Sequence, residues 1–217
     1  MKRSLFKLVL LGFLLFGAPI SLFAVTIDPN DPLVPNGLGP GDRFHFAFVT
    51  SPVNTIDSLW TITQLNTHVN DVANDGGGYS GSLVARLGYT WYAIASDTTV
   101  DARDNALVSA PVYRIDGEQL ASGYSDMWDG TIGVTLTITE KNTTVTDVVR
   151  TGSRSDGTAG QYPFGNAGDG RISRGQNTFT SSGWIEGGSE GDGIRRHAYV
   201  LSEEIKVASH GLLFSIK

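Results

Sequence analysis

The chain has 217 residues, 27 glycines and no cysteine, and its 22 acidic side chains outnumber 16 lysines and arginines for a formal charge of −6. Without cysteine there is no disulfide framework, thiolate metal site or cysteine nucleophile, and an acidic chain lacks the basic face that phosphate neutralisation needs. An apolar share of 40% against 18% charged residues describes a folded chain, not a disordered one.

Residues 1–24 open with Lys2, Arg3 and Lys7, run through apolar residues from Leu8 to Phe16, and end on small residues at Gly17, Ala18 and Ala24. That order is expected of a secretory signal cut after Ala24. The apolar run is shorter than the ~20 residues a spanning helix needs. The expectation is therefore a secreted protein, extracellular or periplasmic, with no membrane span after cleavage. Residues 25–41 carry Pro29, Pro32, Pro35 and Pro40 and read as an extended arm. Residues 42–207 follow as one domain, and residues 208–217 as a tail.

Residues 43–50 (RFHFAFVT) alternate apolar and polar positions and predict a first strand. Ile56, Leu59, Trp60, Leu65, Val69 and Val72 fall mostly at three- and four-residue spacings and predict a helix over residues 55–72. Thr55 suits its N-cap and Asp57 its first turn. Residues 74–81 (NDGGGYSG) then break it. They satisfy G-x-G-x-x-G, but a helix precedes them where a dinucleotide fingerprint requires a strand, so they read as a flexible loop. Residues 83–87 suit a short second helix, with Gly88 to end it.

From residue 89 the texture becomes β. Short β-rich runs over residues 90–95, 111–115, 133–139 and 145–150 are separated by Asp, Asn and Gly, with a turn at Asp116-Gly117. Residues 152–193 hold mostly Gly, Ser, Asn and Asp and read as a long loop, a form that is usually either functional or disordered. Residues 197–207 can close the sheet. One main helix followed by short, mostly antiparallel strands predicts an α+β fold.

Several strings carry a resemblance: Phe48-Val49-Thr50-Ser51, Thr90-Trp91-Tyr92-Ala93-Ile94-Ala95-Ser96, Val100-Asp101-Ala102-Arg103-Asp104-Asn105, Pro111-Val112-Tyr113-Arg114-Ile115-Asp116-Gly117, and Asp126-Met127-Trp128-Asp129-Gly130. Thr151-Gly152 with Asp156-Gly157-Thr158 completes the series. Together they resemble a family of bacterial secreted domains, often found in proteins with a PEP-CTERM sorting tail. Its layout is similar to the endostatin-like branch of the C-type lectin fold. The resemblance covers roughly residues 42–207 and implies a C-type lectin-like α+β domain whose long Gly-rich loop carries ligand contacts. Two features depart from it: there is no cysteine to staple that loop, and residues 210–217 contain no sorting tail.

Candidate sites follow from the acidic residues. Asp97, Asp101 and Asp104 are closely spaced beside a strand, and Ca²⁺ takes six to eight hard oxygen ligands. They are candidate metal ligands with calcium as the candidate cofactor; the alternative is that they form turn hydrogen bonds and an ion pair with Arg103. Asp156, Asp169, Trp184 and Glu186 in the Gly-rich region are candidate ligand-binding residues, with Glu190 and Asp192 nearby. Trp184 would stack on a sugar if exposed and would be core otherwise. His45, His68, His197 and His210 are scattered, with no H-E-x-x-H spacing. No coherent catalytic constellation emerges, and no catalytic residue is assigned. The expected function is a non-enzymatic recognition or matrix-contact module, binding an extracellular glycan or matrix component and not nucleic acid. The alternatives are a structural or surface-layer component without soluble ligand, and a hydrolase using the acidic pair Asp126 and Asp129.

Overall fold

In the computed structural model, residues 25–52, 58–166, 168, 170–191 and 194–209 are described. The expected leader, Thr55, Ile56, Asp57, Asp169, Asp192 and the residues from His210 onward lie outside them. The alternating segment 43–50 forms a strand, and its period of two decides the architecture. Phe44, Phe46 and Phe48 enter one apolar cluster, while Ala47 and Val49 enter a second. Tyr199 and Leu201 likewise part from Val200. Both faces of the sheet are therefore covered, one layer of core on each side.

The strands in chain order are β1 (Val25–Ile27), β2 (Arg43–Val49), β3 (Trp91–Ala93), β4 (Val112–Arg114) and β5 (Gln119–Ala121), then β6 (Val148–Arg150), β7 (Arg171–Gln176), β8 (Gly188–Gly191), β9 (Tyr199–Ser202) and β10 (Ile205–Val207). Seven of them make one curled sheet around β2, which pairs parallel with β4 and antiparallel with β9 and β10. β6, β7 and β8 make a separate antiparallel sheet of three. The Pro-rich stretch packs against the larger sheet: β1 pairs parallel with β10, Leu33, Val34 and Leu38 lie on the core, and Asp31 takes a bidentate pair from Arg86 at 2.6 Å.

The fold is mostly β, with 27% of residues in strands and 15% in helices, which corrects the α+β, C-type lectin-like expectation. Three elements account for the difference. The helix α1 covers only Ile62–Ala73; Thr61 caps it in a reciprocal box with Gln64, so the chain over residues 58–61 is not helical, and Leu59 is 55% exposed. The expected second helix is a single 3-10 turn at Ala85–Leu87, ended by Gly88 at a φ of 63°. The remaining helices among the described residues, α2 (Ala102–Asn105) and α3 (Tyr124–Met127), are one turn each. The expected long loop, in contrast, contains β7, β8 and a 3-10 turn at Ser182–Trp184. Residues 133–139, expected as a strand, make only isolated bridges such as Val49–Thr139 and Ile138–Thr144.

α1 is joined to the sheet by side chains that imitate a strand. Asn66, Asn70 and Asn74 are four residues apart and so share one face. Asn70 accepts from the Trp91 N–H at 3.0 Å and donates to the Trp91 carbonyl at 2.6 Å. Asn66 accepts from the Ala93 N–H at 2.9 Å, and Asn74 donates to the Tyr89 carbonyl at 3.0 Å. This ladder satisfies the edge of β3 that β9 does not pair. Because Trp91 is fully buried, Asn70→Ala orphans two backbone groups and is expected to cost about 2–3 kcal/mol in chemical denaturation. A loss below about 0.5 kcal/mol would show that the ladder is dispensable.

Candidate functional site

Asp97 is buried and committed to the fold. It accepts from the Ile62 N–H (2.8 Å), which opens α1, and from the Thr99 N–H (2.7 Å), the Thr99 hydroxyl (2.8 Å) and the Val100 N–H (2.8 Å). Burial pushes its carboxyl upward, but these hydrogen bonds outweigh it and hold the group below its ordinary value. Asp101 accepts from the Ala159 N–H at 2.8 Å and lies 3.7 Å from Arg103, while Asp104 is exposed on α2. Among the described residues no three His, Asp or Glu side chains converge as a cation site.

The Gly-rich candidates also part company. Asp156 is exposed and closes its own turn onto the Thr158 N–H and hydroxyl, at 3.0 and 2.6 Å; those bonds lower its pKa. Glu186 is exposed and accepts from the Ser155 N–H at 2.9 Å. Trp184 is fully buried against Tyr199, whose hydroxyl donates to its carbonyl at 2.9 Å, so its ring is core and offers no stacking face. Glu190 holds an ion network: Arg150 Nε at 3.0 Å and Arg196 Nη2 at 2.9 Å. Asp126 accepts from the Ser122 N–H (2.6 Å) and Asp129 from Thr131 (2.8 Å), each closing a local turn. His45 is buried between the Ser202 carbonyl and the Ser109 N–H, and His197 bonds the Thr50 carbonyl.

A different group of residues does converge. Trp60, Gln64, Thr67, His68, Asp71, Gly77 and Tyr79 line a cleft of about 370 Å³. Gln64, Thr67, His68 and Asp71 follow the three- and four-residue spacing of one helical face, the side of α1 turned away from the asparagine ladder. The opposite wall is the loop after α1. Its Gly76 N–H donates to the Asp71 carbonyl at 2.8 Å, and the Tyr79 N–H to the Gly76 carbonyl at 2.9 Å, folding the loop back onto the helix. A Cβ on Gly76 or Gly77 would stand 2.9 or 2.8 Å from the Asp71 carboxylate oxygens, and Gly77 has a φ of +57°. Glycine is therefore what lets the loop approach.

The fold-back sets Tyr79 over His68 with ring centroids 5.8 Å apart, and Trp60 meets His68 from the other side, also at 5.8 Å, both edge-to-face. Burial lowers the His68 pKa against the opposing pull of Asp71 and so favours the neutral imidazole. The polar groups around the rings are left with bonding capacity. Gln64 Oε1 is occupied by Thr61, while among the described residues its amide nitrogen has no acceptor and the Asp71 carboxylate no hydrogen-bond donor or ion-pair partner. Thr67 donates its hydroxyl to the Thr63 carbonyl at 2.9 Å and keeps its lone pairs.

Three other clefts are more fully satisfied from within. One of about 470 Å³ lies under the Pro-rich stretch, but its charged groups Arg86 and Asp116 are paired with Asp31 and Arg114. One of about 370 Å³ beside His45 includes Glu204, which is held by the Ser109 hydroxyl and Arg43. One of about 430 Å³ includes Glu186 and Tyr162, and it is lined chiefly by polar groups and glycine backbone. The class these features define is a mostly-β domain with an aromatic-lined cleft between a helix and a glycine-rich loop. Comparison with protein-family models finds no match, and comparison with curated proteins finds none either, so the functional reading rests on the cleft.

Proposed function

We propose that the chain is a secreted, non-enzymatic recognition module that binds carbohydrate in the cleft over α1. The observation that carries this reading is the pairing of half-exposed rings, Trp60 and Tyr79, with the Gln64 amide nitrogen and the Asp71 carboxylate, neither of which is hydrogen-bonded among the described residues. A sugar presents apolar C–H faces and a rim of hydroxyls, and such a wall answers both. Export is supported by the basic and apolar order of residues 1–24. The turn-closing roles of Asp126 and Asp129 support a binding role over a hydrolytic one.

Titration of the folded protein with neutral, amino and acidic oligosaccharides, followed by tryptophan fluorescence, is expected to show saturable binding. Trp60→Ala removes the larger ring and is expected to weaken it by about 2 kcal/mol, roughly thirty-fold. Binding to none of the three classes, or binding indifferent to Trp60→Ala, would contradict the proposal.

A further inference from the structure

Resting on that reading, we infer that the cleft selects a sugar carrying a free amine, a hexosamine unit whose ammonium sits at Asp71 in the cleft that Trp60 and Tyr79 also line. Among the described lining residues Asp71 brings the one carboxylate; the others are Trp60, Gln64, Thr67, His68, whose burial favours the neutral form, Gly77 and Tyr79. The loop backbone passes close to it: a Cβ on Gly76 or Gly77 would stand within 3 Å of its oxygens, and neither residue contributes a hydrogen bond to them. A cation brought there meets a carboxylate in a cleft that two aromatic rings also line, and both kinds of group attract an ammonium.

Charge also sets what the cleft rejects. A uronate or sialate unit would bring a second carboxylate to Asp71, on a chain that already carries a net −6. An N-acetylated unit is neutral: it keeps the ring stacking and the Gln64 amide contact but gains nothing from Asp71. Calcium is a poor occupant, because one carboxylate falls far short of the six or more oxygens it takes. Selectivity over the acetylated, acidic and amino forms thus traces to a single residue. Asp71 sets it.

The test is calorimetric titration at about pH 6, below the range in which simple amines lose their proton. The probes are the tetramer of glucosamine, the tetramer of N-acetylglucosamine, the tetramer of galacturonate, and trilysine. The free-amine tetramer is expected to bind roughly tenfold tighter than the acetylated one, and the galacturonate tetramer not measurably. Asp71→Asn, shown to be folded by its melting transition, is expected to bring the two glucosamine tetramers within about twofold of each other. Equal binding of both by the unaltered protein would overturn the amine inference and leave the carbohydrate reading standing. Trilysine binding as tightly as the free-amine tetramer would overturn the sugar as the amine's carrier. No oligosaccharide binding at all would overturn both.

Discussion

Replacing Glu190 by alanine is expected to destabilise the protein by about 3–5 kcal/mol, one of the two largest effects of a single substitution. Arg150 on β6 has a fully buried side chain, and Glu190 on β8 is its carboxylate partner at 3.0 Å. Arg150 also donates to the Gly191 carbonyl at 2.5 Å, and Glu190 in turn receives Arg196 at 3.0 Å through Nε. β6 and β8 flank β7 and do not pair with each other, so this side-chain link spans the small sheet from edge to edge. Glu190→Ala takes a carboxylate at 3.0 Å away from a fully buried guanidinium, and breaking a buried ion pair by removing one partner costs far more than the pair contributes. Arg196 is partly exposed and retains Asp147 at 3.8 Å, so the loss centres on Arg150. Urea unfolding reads the effect. The double variant Arg150→Met, Glu190→Leu is expected to be more stable than Glu190→Ala, since it removes both charges at once. A double variant worse than the single would show that the bonds the Arg150 side chain makes, not the loss of Glu190's carboxylate, hold the sheet.

The other large effect belongs to Gly175→Ala on β7. A Cβ there would lie 1.8 Å from the Trp184 carbonyl oxygen and 2.7 Å from the Ile185 Cα, both backbone atoms that no rotamer can move away. β7 must shift, or the turn that seats Trp184 must lift out of the core. Either route disturbs Val149, which faces Gly175 across the β6–β7 ladder, and Tyr199, which packs on Trp184. The expected cost is roughly 3 kcal/mol or more, at the upper end of overpacking. The near-ultraviolet tryptophan signal should weaken along with it. A variant within about 1 kcal/mol of the parent would mean that the β7–Trp184 contact relaxes freely.

How much of this was readable in advance depends on which residues carry the pattern. β2 was legible because Phe44, Phe46 and Phe48 alternate in a strand whose two faces are both buried. The turn at Asp116-Gly117 was legible because Gly117 sits at a φ of 92°, which glycine tolerates. β7 and β8 were not, since Arg171–Gln176 and Gly188–Gly191 carry a single large apolar residue, Ile172, among Ser, Arg, Gly, Gln and Glu, and the Arg150–Glu190 pair and the close pass at Gly175 have no period that marks a strand. The helix start was misplaced because Leu59 and Trp60 keep helical spacing while lying outside the helix. That also hid the cleft: Trp60 read as a core position of the helix, and residues 76–81 as a flexible loop. The signal available was the polar stripe of Gln64, Thr67, His68 and Asp71, directly followed by glycines and a tyrosine. Its meaning depends on the loop folding back, which spacing alone does not express.

Amide chemical-shift mapping with the glucosamine tetramer tests the central claim most directly. The cleft over α1 predicts shifts confined to the Trp60 indole N–H, the Gln64 side-chain amide, Thr67, Asp71 and the backbone of residues 76–79. Shifts centred on Tyr162 and Glu186, or none at saturating sugar, would contradict it.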